Sequence, residues 1–413
     1  MLAEIITIGD ELLIGQTVDT NSAWLGAELA KIGVTVYQVT SIPDERARIL
    51  QALANAESRV QLVLMTGGLG PTTDDITKPT LCEYFKTTLE RNTAVLQEIE
   101  GFFTRAGLPL LEVNRQQADL PKACTVLRNS RGTASGMWFE QNDTVFVSMP
   151  GVPHEMKGIM QDEVFERVAQ RFDRPAIVHR TIMTQGQGES FISQRIADWA
   201  EALPGKGIKL AYLPGPGQVR IRLSASGPDE AALTRVVDEE KDALVALIPD
   251  IVYGFDNTPL WQVVGELLVA NNATVSTAES CTGGTIAQLL TQRPGSSAFF
   301  QGGVVAYANE VKMHLLGVQE RDLIAHGAVS QAVVEQMARG VREALGTTYG
   351  VATSGVAGPD GGSEEKPVGT VWMAVAGPDG VESVVKTFSR SRERNIQRAT
   401  LYVLDMLRKK IQD

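Results

Sequence analysis

The chain has 413 residues, 43% hydrophobic and 21% charged, a composition typical of globular proteins with two or three domains. Its net charge of -11 argues against a broad surface for nucleic acid or anionic membranes. Three widely spaced cysteines and the lack of a signal-peptide pattern predict a cytoplasmic protein, and no apolar run approaches the roughly 20 residues that span a bilayer.

The first part of the chain alternates between strand and helix patterns. Buried strands are predicted at 3–8, 34–39 and 61–66, amphipathic helices at 21–32 and 45–56, and a hairpin across Asn142-Asp143. This alternation predicts a largely parallel sheet with helices on both faces.

The character of the sequence changes near residues 174–175. A smaller α+β unit follows, with strands predicted at 178–183, 209–213, 219–225 and 251–253 and helices at 190–200 and 229–248. A third unit has predicted strands at 274–277, 303–307 and 350–353 and a last helix from Glu393. We therefore expect domains at 1–172, 173–254 and 255–413.

The most specific local pattern is a strand, turn and helix around Ser280. A small nucleophile at a strand end, just before a helix, lies where unpaired backbone N–H groups and the helix dipole suit an oxyanion or a phosphate. Gly283 and Gly284 allow a ligand to approach the backbone. Alternatively, Ser280 or Thr282 only caps the helix. Cys281 is a rival nucleophile, although its apolar flanks favour a packed thiol.

A serine nucleophile needs a base, and four scattered histidines disfavour a Ser–His–Asp set. A lysine can serve if burial lowers its pKa. Tyr307 and Lys312 are the best candidates, because a predicted strand turns into a helix between them and both side chains can project toward a strand-end cleft. Taken alone, Lys312 fits a solvated helix residue.

Two further patterns lie toward the C-terminus. Ser354 ends a predicted strand and precedes a glycine-rich loop at 355–362, which fits either ligand binding or a long irregular turn. Arg390, Arg392 and Arg394 lie at the start of the last predicted helix, where they bind a phosphate or form a solvated face.

Another glycine loop follows the third predicted strand. Gly67, Gly68 and Gly70 at a strand end can cradle a pyrophosphate. The adjacent Asp74 and Asp75 can hold Mg²⁺ or a similar divalent metal against it. Alternatively, the two aspartates cap the helix that follows.

The C-terminal motifs together resemble the nicotinamide-nucleotide amidase domain of the competence/damage-inducible protein A (CinA) family. The resemblance covers about residues 258–413 and rests on segments 278–284, 307–312 and 354–371. It implies hydrolysis of nicotinamide mononucleotide to nicotinate mononucleotide and ammonia, without a cofactor. It further implies these catalytic residues: Ser280 as nucleophile, Lys312 as base, and Tyr307 and Ser354 in assisting roles. The implied substrate contacts are Thr282, Gly283, Gly284, Gly358 and Arg392.

The N-terminal segments 9–15, 19–21, 67–75 and 149–156 are similar to the first domain of the same family, which has a molybdopterin-binding-like fold. This similarity implies metal-dependent hydrolysis of ADP-ribose to AMP and ribose 5-phosphate, with Asp74 and Asp75 as metal ligands. The implied substrate contacts are Asp10, Gly67, Gly68 and Gly70. Related domains bind molybdopterin instead, so the substrate class stays open.

The middle unit resembles the KH-like domain of full-length family members. KH modules that bind nucleic acid use a GXXG loop and a basic surface, whereas this unit has only Gly186-Gln187-Gly188 and Gly205-Lys206-Gly207. We therefore expect a spacer or dimer-forming unit, in a homodimer that binds small nucleotides and neither nucleic acid nor membranes.

The expected fold class is α/β, with a molybdopterin-binding-like three-layer domain, a small α+β KH-like domain and an α/β amidase domain. The alternative function is that of a non-catalytic competence or DNA-repair accessory, or of a molybdopterin-binding protein. The set of Ser280, Tyr307 and Lys312 favours catalysis, because a scaffold has no need of it.

Overall fold

The structure is a computed structural model that describes residues 1–70, 72, 75–173 and 175–412. The chain folds as two compact units, one made of Met1–Val178 with Ser226–Leu233 and the other of His179–Ala225 with the residues from Thr234 onward. Among the described helices, none combines the length and the apolar character needed to span a bilayer.

The first unit is built on a six-stranded mixed sheet with the strand order β2-β1-β3-β8-β7-β6. Its strands are β1 (Leu2–Ile8), β2 (Thr35–Ile42), β3 (Leu62–Thr66), β4 (Leu89–Arg91), β5 (Asp119–Pro121), β6 (Thr125–Leu127), β7 (Gly136–Gln141) and β8 (Thr144–Met149). Strands β2, β1, β3 and β8 are parallel, β7 and β6 are antiparallel additions, and β4 pairs with β5 separately.

Helices cover both faces of this sheet. They are α1 (Asp10–Leu13), α2 (Thr20–Lys31), α3 (Arg46–Glu57), α4 (Thr77–Tyr84), α5 (Thr93–Ala106), α6 (Glu112–Arg115), α7 (Pro153–Ile159) and α8 (Phe165–Arg171). Alternate residues of β1 serve the two cores: Ile6 packs with α3, α4 and α5, and Ile5 packs with α2, α7 and α8. The result is the expected three-layer domain.

A four-stranded antiparallel sheet with the order β10-β11-β9-β12 forms the middle of the chain. Its elements are β9 (Ala176–Gln185), α9 (Glu189–Arg195), α10 (Ala197–Ala202), β10 (Ile208–Gly215), β11 (Gln218–Gly227), α11 (Glu230–Leu247) and β12 (Val252–Phe255). The single helix predicted at 190–200 is wrong in one respect, because the chain leaves helical geometry at Ile196 and starts a second short helix.

The C-terminal part contains a five-stranded sheet with the order β14-β13-β15-β16-β17. Its strands are β13 (Val275–Glu279), β14 (Phe300–Val305), β15 (Tyr349–Gly355), β16 (Thr370–Gly377) and β17 (Gly380–Thr387). Its helices are α12 (Leu260–Ala270), α13 (Thr285–Leu290), α14 (Asn309–Leu316), α15 (Glu320–His326), α16 (Gln331–Leu345) and α17 (Arg392–Gln412).

The first three of these strands are parallel, so their carboxyl ends meet at one edge of the sheet. Helices α12, α13 and α17 pack on one face, and α14, α15 and α16 pack on the other. Strand β14 ends at Val305, two residues earlier than predicted, so Tyr307 lies in the segment between β14 and α14.

Candidate active site

The candidate amidase site lies where the three parallel strands of the C-terminal sheet end. Ser280 follows β13 directly, and its amide donates to the carbonyl of Thr353 in β15 at 3.0 Å. On the other side, the amide of Ala306, just after β14, donates to the carbonyl of Glu279 at 2.8 Å. These bonds hold Ser280 between the ends of two neighbouring strands, with its side chain half-buried.

Lys312 points from α14 into the same edge of the sheet. Its side chain is only 1% exposed, and its Nζ donates to the carbonyl oxygens of Ala306 at 2.7 Å and Tyr307 at 3.3 Å. Burial lowers the pKa of Lys312, with smaller opposing effects from Cys281 and Glu310. The alternative of a solvated helix residue is therefore wrong.

Cys281 lies beside Ser280 and is 6% exposed. Burial raises the pKa of the Cys281 thiol to about 12. At neutral pH the group is a thiol and not the thiolate that acts as a nucleophile. Of the two neighbours, Ser280 is the more exposed.

The start of α13 is occupied by a side chain of the protein itself. The carboxylate of Glu279, 1% exposed, accepts hydrogen bonds from the amides of Gly284 at 3.0 Å, Ile286 at 3.1 Å and Ala287 at 2.9 Å. The expectation that these amides are free for an oxyanion or a phosphate is therefore wrong. The alternative that Ser280 or Thr282 caps the helix is wrong too, because Glu279 satisfies its first N–H groups.

Thr282 takes part in this buried arrangement. Its hydroxyl donates to Glu279 at 2.7 Å and lies 2.7 Å from the hydroxyl of Thr353, and its side chain is 2% exposed. Gly283 and Gly284 follow with φ angles of +62° and +99°, a left-handed backbone that favours glycine. Thr282 is thus bonded within the protein, and the left-handed backbone explains why glycine occupies the next two positions.

Arg392, at the start of α17, joins two other candidate residues. Its Nη1 donates to the carbonyl of Gly358 at 3.0 Å, and its Nη2 lies 3.4 Å from the hydroxyl of Tyr307. Arg392 and Tyr307 are both exposed. Ser354 is buried, and its hydroxyl donates to the carbonyl of Ala328 at 2.7 Å.

Asn395 was missed by the sequence reasoning, although it lies one helical turn after Arg392. It is 1% exposed, and its Nδ2 donates to the carbonyls of Ala357 and Ser389, each at 2.9 Å. Its Oδ1 accepts from the amide and the hydroxyl of Ser389. Asn395 therefore fixes the loop before Gly358 against the start of α17. A lone asparagine in a polar helix gave no signal of this.

The N-terminal candidate site is a cleft of about 470 Å³ above the carboxyl ends of β1 and β3. Gly67, Gly68, Gly70 and Asp75 line it, as the glycine-loop prediction requires. Asp10 is exposed and is not among the lining residues, where Gly9 and Glu11 stand instead. The other lining carboxylates, also missed, are Asp19, Asp44 and Glu155.

Asp75 holds the glycine loop together. Its Oδ1 accepts from the amide of Gly70 at 2.7 Å, and its Oδ2 accepts from the amide of Thr72 at 2.9 Å and its hydroxyl at 2.6 Å. The helix-cap alternative is wrong for Asp75, because Ile76 is the residue before α4. Asp74 lies outside the described residues.

The described residues contain no group of three or more His, Cys, Asp and Glu side chains arranged to hold a metal ion. Asp75 offers oxygen atoms beside the glycine loop, and three hydrogen bonds already occupy part of its capacity. A divalent ion bound there would rely on Asp75, on substrate phosphate oxygens and on water, which is the usual coordination of Mg²⁺.

Comparison with known proteins matches three domain descriptions in succession. Residues 4–170 match "Probable molybdopterin binding domain", residues 179–254 match "Damage-inducible protein CinA KH domain", and residues 257–411 match "CinA C-terminal domain". A CinA-like protein from Cytophaga hutchinsonii is 47% identical over all of this chain and 98% of its own length. The chain belongs to the CinA family.

A second full-length relative and one solved structure also match this chain. A CinA-like protein from Flavobacterium psychrophilum is 46% identical and covers all of this chain and 99% of its own length. A solved structure of a CinA superfamily protein from Klebsiella pneumoniae is 35% identical and covers 37% of this chain and 96% of that chain, with a TM-score of 0.36. The three matched descriptions give the expected layout of a molybdopterin-binding-like domain, a KH domain and a CinA C-terminal domain.

Proposed function

We propose that this CinA protein is a hydrolase whose C-terminal domain converts nicotinamide mononucleotide to nicotinate mononucleotide and ammonia, without a cofactor. The buried Lys312 carries this proposal. A neutral amine has two N–H bonds and a lone pair, and Nζ has two carbonyl acceptors, Ala306 and Tyr307. The lone pair is left to accept a proton from a neighbouring nucleophile.

In the proposed reaction, Lys312 takes the proton of the Ser280 hydroxyl as its oxygen attacks the carboxamide carbon. The lysine then returns the proton to the departing nitrogen, which leaves as ammonia. Water hydrolyses the resulting ester, releases the nicotinate product and restores Ser280. Arg392 and Tyr307, linked at the exposed side of the site, are suited to contact the nucleotide.

Ammonia release from nicotinamide mononucleotide by the purified protein tests this proposal. Ser280→Ala should remove nearly all turnover, a loss on the order of several kcal/mol of transition-state stabilisation. Cys281→Ala is the matched control, and we expect it to keep most activity because the thiol is buried and protonated. An inactive Cys281→Ala variant beside an active Ser280→Ala variant would identify a thiol enzyme instead.

We propose a second activity for the N-terminal domain, the hydrolysis of ADP-ribose to AMP and ribose 5-phosphate with a divalent metal such as Mg²⁺. The composition of the cleft supports the need for a cation. Five carboxylates line it, while its described lining includes no lysine, arginine or histidine. A diphosphate in such a cleft would meet like charges unless a cation neutralised them. The metal would supply that charge and polarise a phosphoryl oxygen.

A chelator tests the division between the two sites. It should abolish the hydrolysis of ADP-ribose and spare ammonia release, since the groups proposed to act at Ser280 include no metal ligand. Asp75→Asn should likewise lower only the first activity, because the amide replaces one acceptor of the glycine loop with a donor. Loss of both activities in a folded, chelated protein would contradict the assignment. Pterin binding in place of hydrolysis would favour the molybdopterin alternative.

We further propose that small nucleotides are the ligands, that the protein works in the cytoplasm and that it forms a homodimer. The middle unit supports a role other than nucleic-acid binding, since its glycine pairs lack the GXXG spacing. Light scattering of the purified chain tests the dimer, and a mass of one chain would exclude it.

A further inference from the structure

One buried side chain beside Ser280 makes four hydrogen bonds, yet the proposed reaction does not use it. Glu279 is the last residue of β13 and immediately precedes Ser280. Its carboxylate is 1% exposed and accepts four hydrogen bonds, three from backbone amides of the next turn and helix and one from the hydroxyl of Thr282. All four partners are donors, so the site is shaped for a carboxylate.

These bonds enclose Ser280. Glu279 lies before the serine, and the residues that donate to its carboxylate, from Thr282 to Ala287, lie after it. The side chain of Glu279, at the start of this loop, therefore bonds to residues at the end of the same loop. The loop is also tied to β15, because Thr282 gives its proton to Glu279 and accepts one from the hydroxyl of Thr353.

We propose that Glu279 is a positioning residue that sets the orientation and reactivity of Ser280 through its hydrogen bonds to the loop that follows. This inference rests on the proposed role of Ser280 as the nucleophile. Glu279 itself touches neither substrate nor the transferred proton. Its carboxylate takes the place at the helix start where an anionic ligand would otherwise be expected.

The physical argument concerns what happens when the carboxylate is removed. The amides of Gly284, Ile286 and Ala287 would lose their acceptor in a buried place, at a cost that the chain relieves by shifting the turn. Ser280 lies on that turn, and a displacement of the nucleophile by about 1 Å costs on the order of 100-fold in rate. Binding of the nucleotide through Arg392 and Tyr307, which lie outside this turn, would change much less.

Two pairs of variants separate positioning from general stability. Glu279→Gln keeps the volume of the side chain but replaces one acceptor oxygen with an amide NH2 group, a donor that faces N–H groups that also donate. Glu279→Asp keeps the charge with a shorter reach. Thr282→Val removes the hydroxyl that bonds Glu279 and Thr353, and Thr282→Ser keeps it. We expect Thr282→Val to follow Glu279→Gln, and Thr282→Ser, which keeps the hydroxyl, to label faster than Thr282→Val.

The experiment on the full chain measures the rate at which a fluorophosphonate labels Ser280, together with kcat and KM for ammonia release from nicotinamide mononucleotide. Labelling does not depend on which substrate the enzyme uses. In Glu279→Gln we expect labelling and kcat to fall together by about 100-fold, with KM changed by less than about threefold. Melting temperatures identify variants that fail to fold.

Each outcome decides the inference. If folded Glu279→Gln is labelled at the same rate as the wild type, the inference is overturned. Equal labelling rates for Thr282→Val and Thr282→Ser overturn it as well. If Glu279→Gln does not fold, the threonine pair gives the answer. A wild-type protein that labels at Ser280 but releases no ammonia overturns the proposed amidase, while slow labelling of Glu279→Gln still supports positioning. A wild-type protein that shows neither overturns both.

Discussion

The side chain of Lys312 reaches from the first turn of α14 to two carbonyl oxygens that follow β14. An exposed lysine there would be one charged group among the many on the surface. Burial changes its chemistry, because desolvation penalises the ammonium form and lowers the pKa of Lys312. The same residue type that normally solubilises a helix is thereby suited to accept a proton.

Replacement of this lysine by arginine tests whether it accepts a proton or only supplies charge. A guanidinium stays protonated at any working pH, so Lys312→Arg keeps the charge and cannot act as a base. We expect its kcat to be as low as that of Lys312→Ala, with substrate binding largely retained. Steady-state kinetics and equilibrium binding provide the comparison, and substantial turnover by the arginine variant would place the base elsewhere.

The expected pH dependence of the proposed amidase activity follows from the same pKa shift of Lys312. The base is active when neutral, so kcat/KM should rise as the pH increases through the pKa of Lys312, and burial moves that rise below the usual range of lysine. A pH–rate profile with circular dichroism at each pH measures this while it monitors folding. A rate that falls with increasing pH over that interval would rule out a lysine base.

Residue type and order predict some of these roles and not others. Ser280 was identified because a hydroxyl between a strand and a glycine-rich turn is a recognisable pattern. Glu279 is adjacent, but its hydrogen bonds depend on amides that reach it only when the helix folds back. Asn395 likewise acts on Ala357, which is remote in sequence. Such pairings arise from tertiary structure and leave no local periodicity.

Among whole elements, the strand ends determine where ligands can bind. In the first unit, Gly67 follows β3 with a φ of +116°, and a Cβ atom there would lie 2.0 Å from the carbonyl oxygen of Ile8 at the end of β1. The two parallel strands therefore approach each other closely at the cleft, and only glycine permits this. The glycine loop therefore packs directly against the end of β1.

Substitution of this glycine should damage the first unit more than a strained glycine elsewhere does. Gly107→Ala is the matched control, since its φ is +65° and open space surrounds it. It should cost about 1–2 kcal/mol from backbone strain alone. Gly67→Ala adds overlap with a backbone atom, a further ~1–3 kcal/mol. Thermal unfolding compares the two, and equal shifts would show that the approach to Ile8 is relaxed in solution.

The elements themselves were predictable where one periodicity dominates a segment. Helices α2, α3 and α11 begin and end within one residue of the predicted bounds, and the hairpin across Asn142-Asp143 is confirmed by the pairing of β7 with β8. The break at Ile196 and the early end of β14 were missed. In both places the hydrophobic pattern of the sequence continues beyond the residue at which the helix or strand ends. Sheet order depends on contacts remote in sequence.

At the scale of the molecule, the second unit contains both the middle sheet and the C-terminal domain. One apolar core includes Met183 of β9 and Tyr253 of β12 together with Leu260, Val264 and Leu268 of α12. These contacts join two parts that match separate domain descriptions. The proposed amidase site lies on a different set of elements, at the ends of β13, β14 and β15.

Two fragments test what this shared core contributes. Residues 255–413 contain every proposed catalytic group, so this fragment should fold and release ammonia with the kcat of the full chain. It lacks Met183 and Tyr253, so apolar surface of α12 becomes exposed to water. Each Å² of apolar surface exposed in this way lowers the free energy of unfolding by about 25 cal/mol. A fragment of residues 179–413 restores that cover and should melt at a higher temperature with the same kcat. If the shorter fragment is folded but inactive while the longer one is active, the proposed amidase site requires the middle sheet and is not confined to the C-terminal domain.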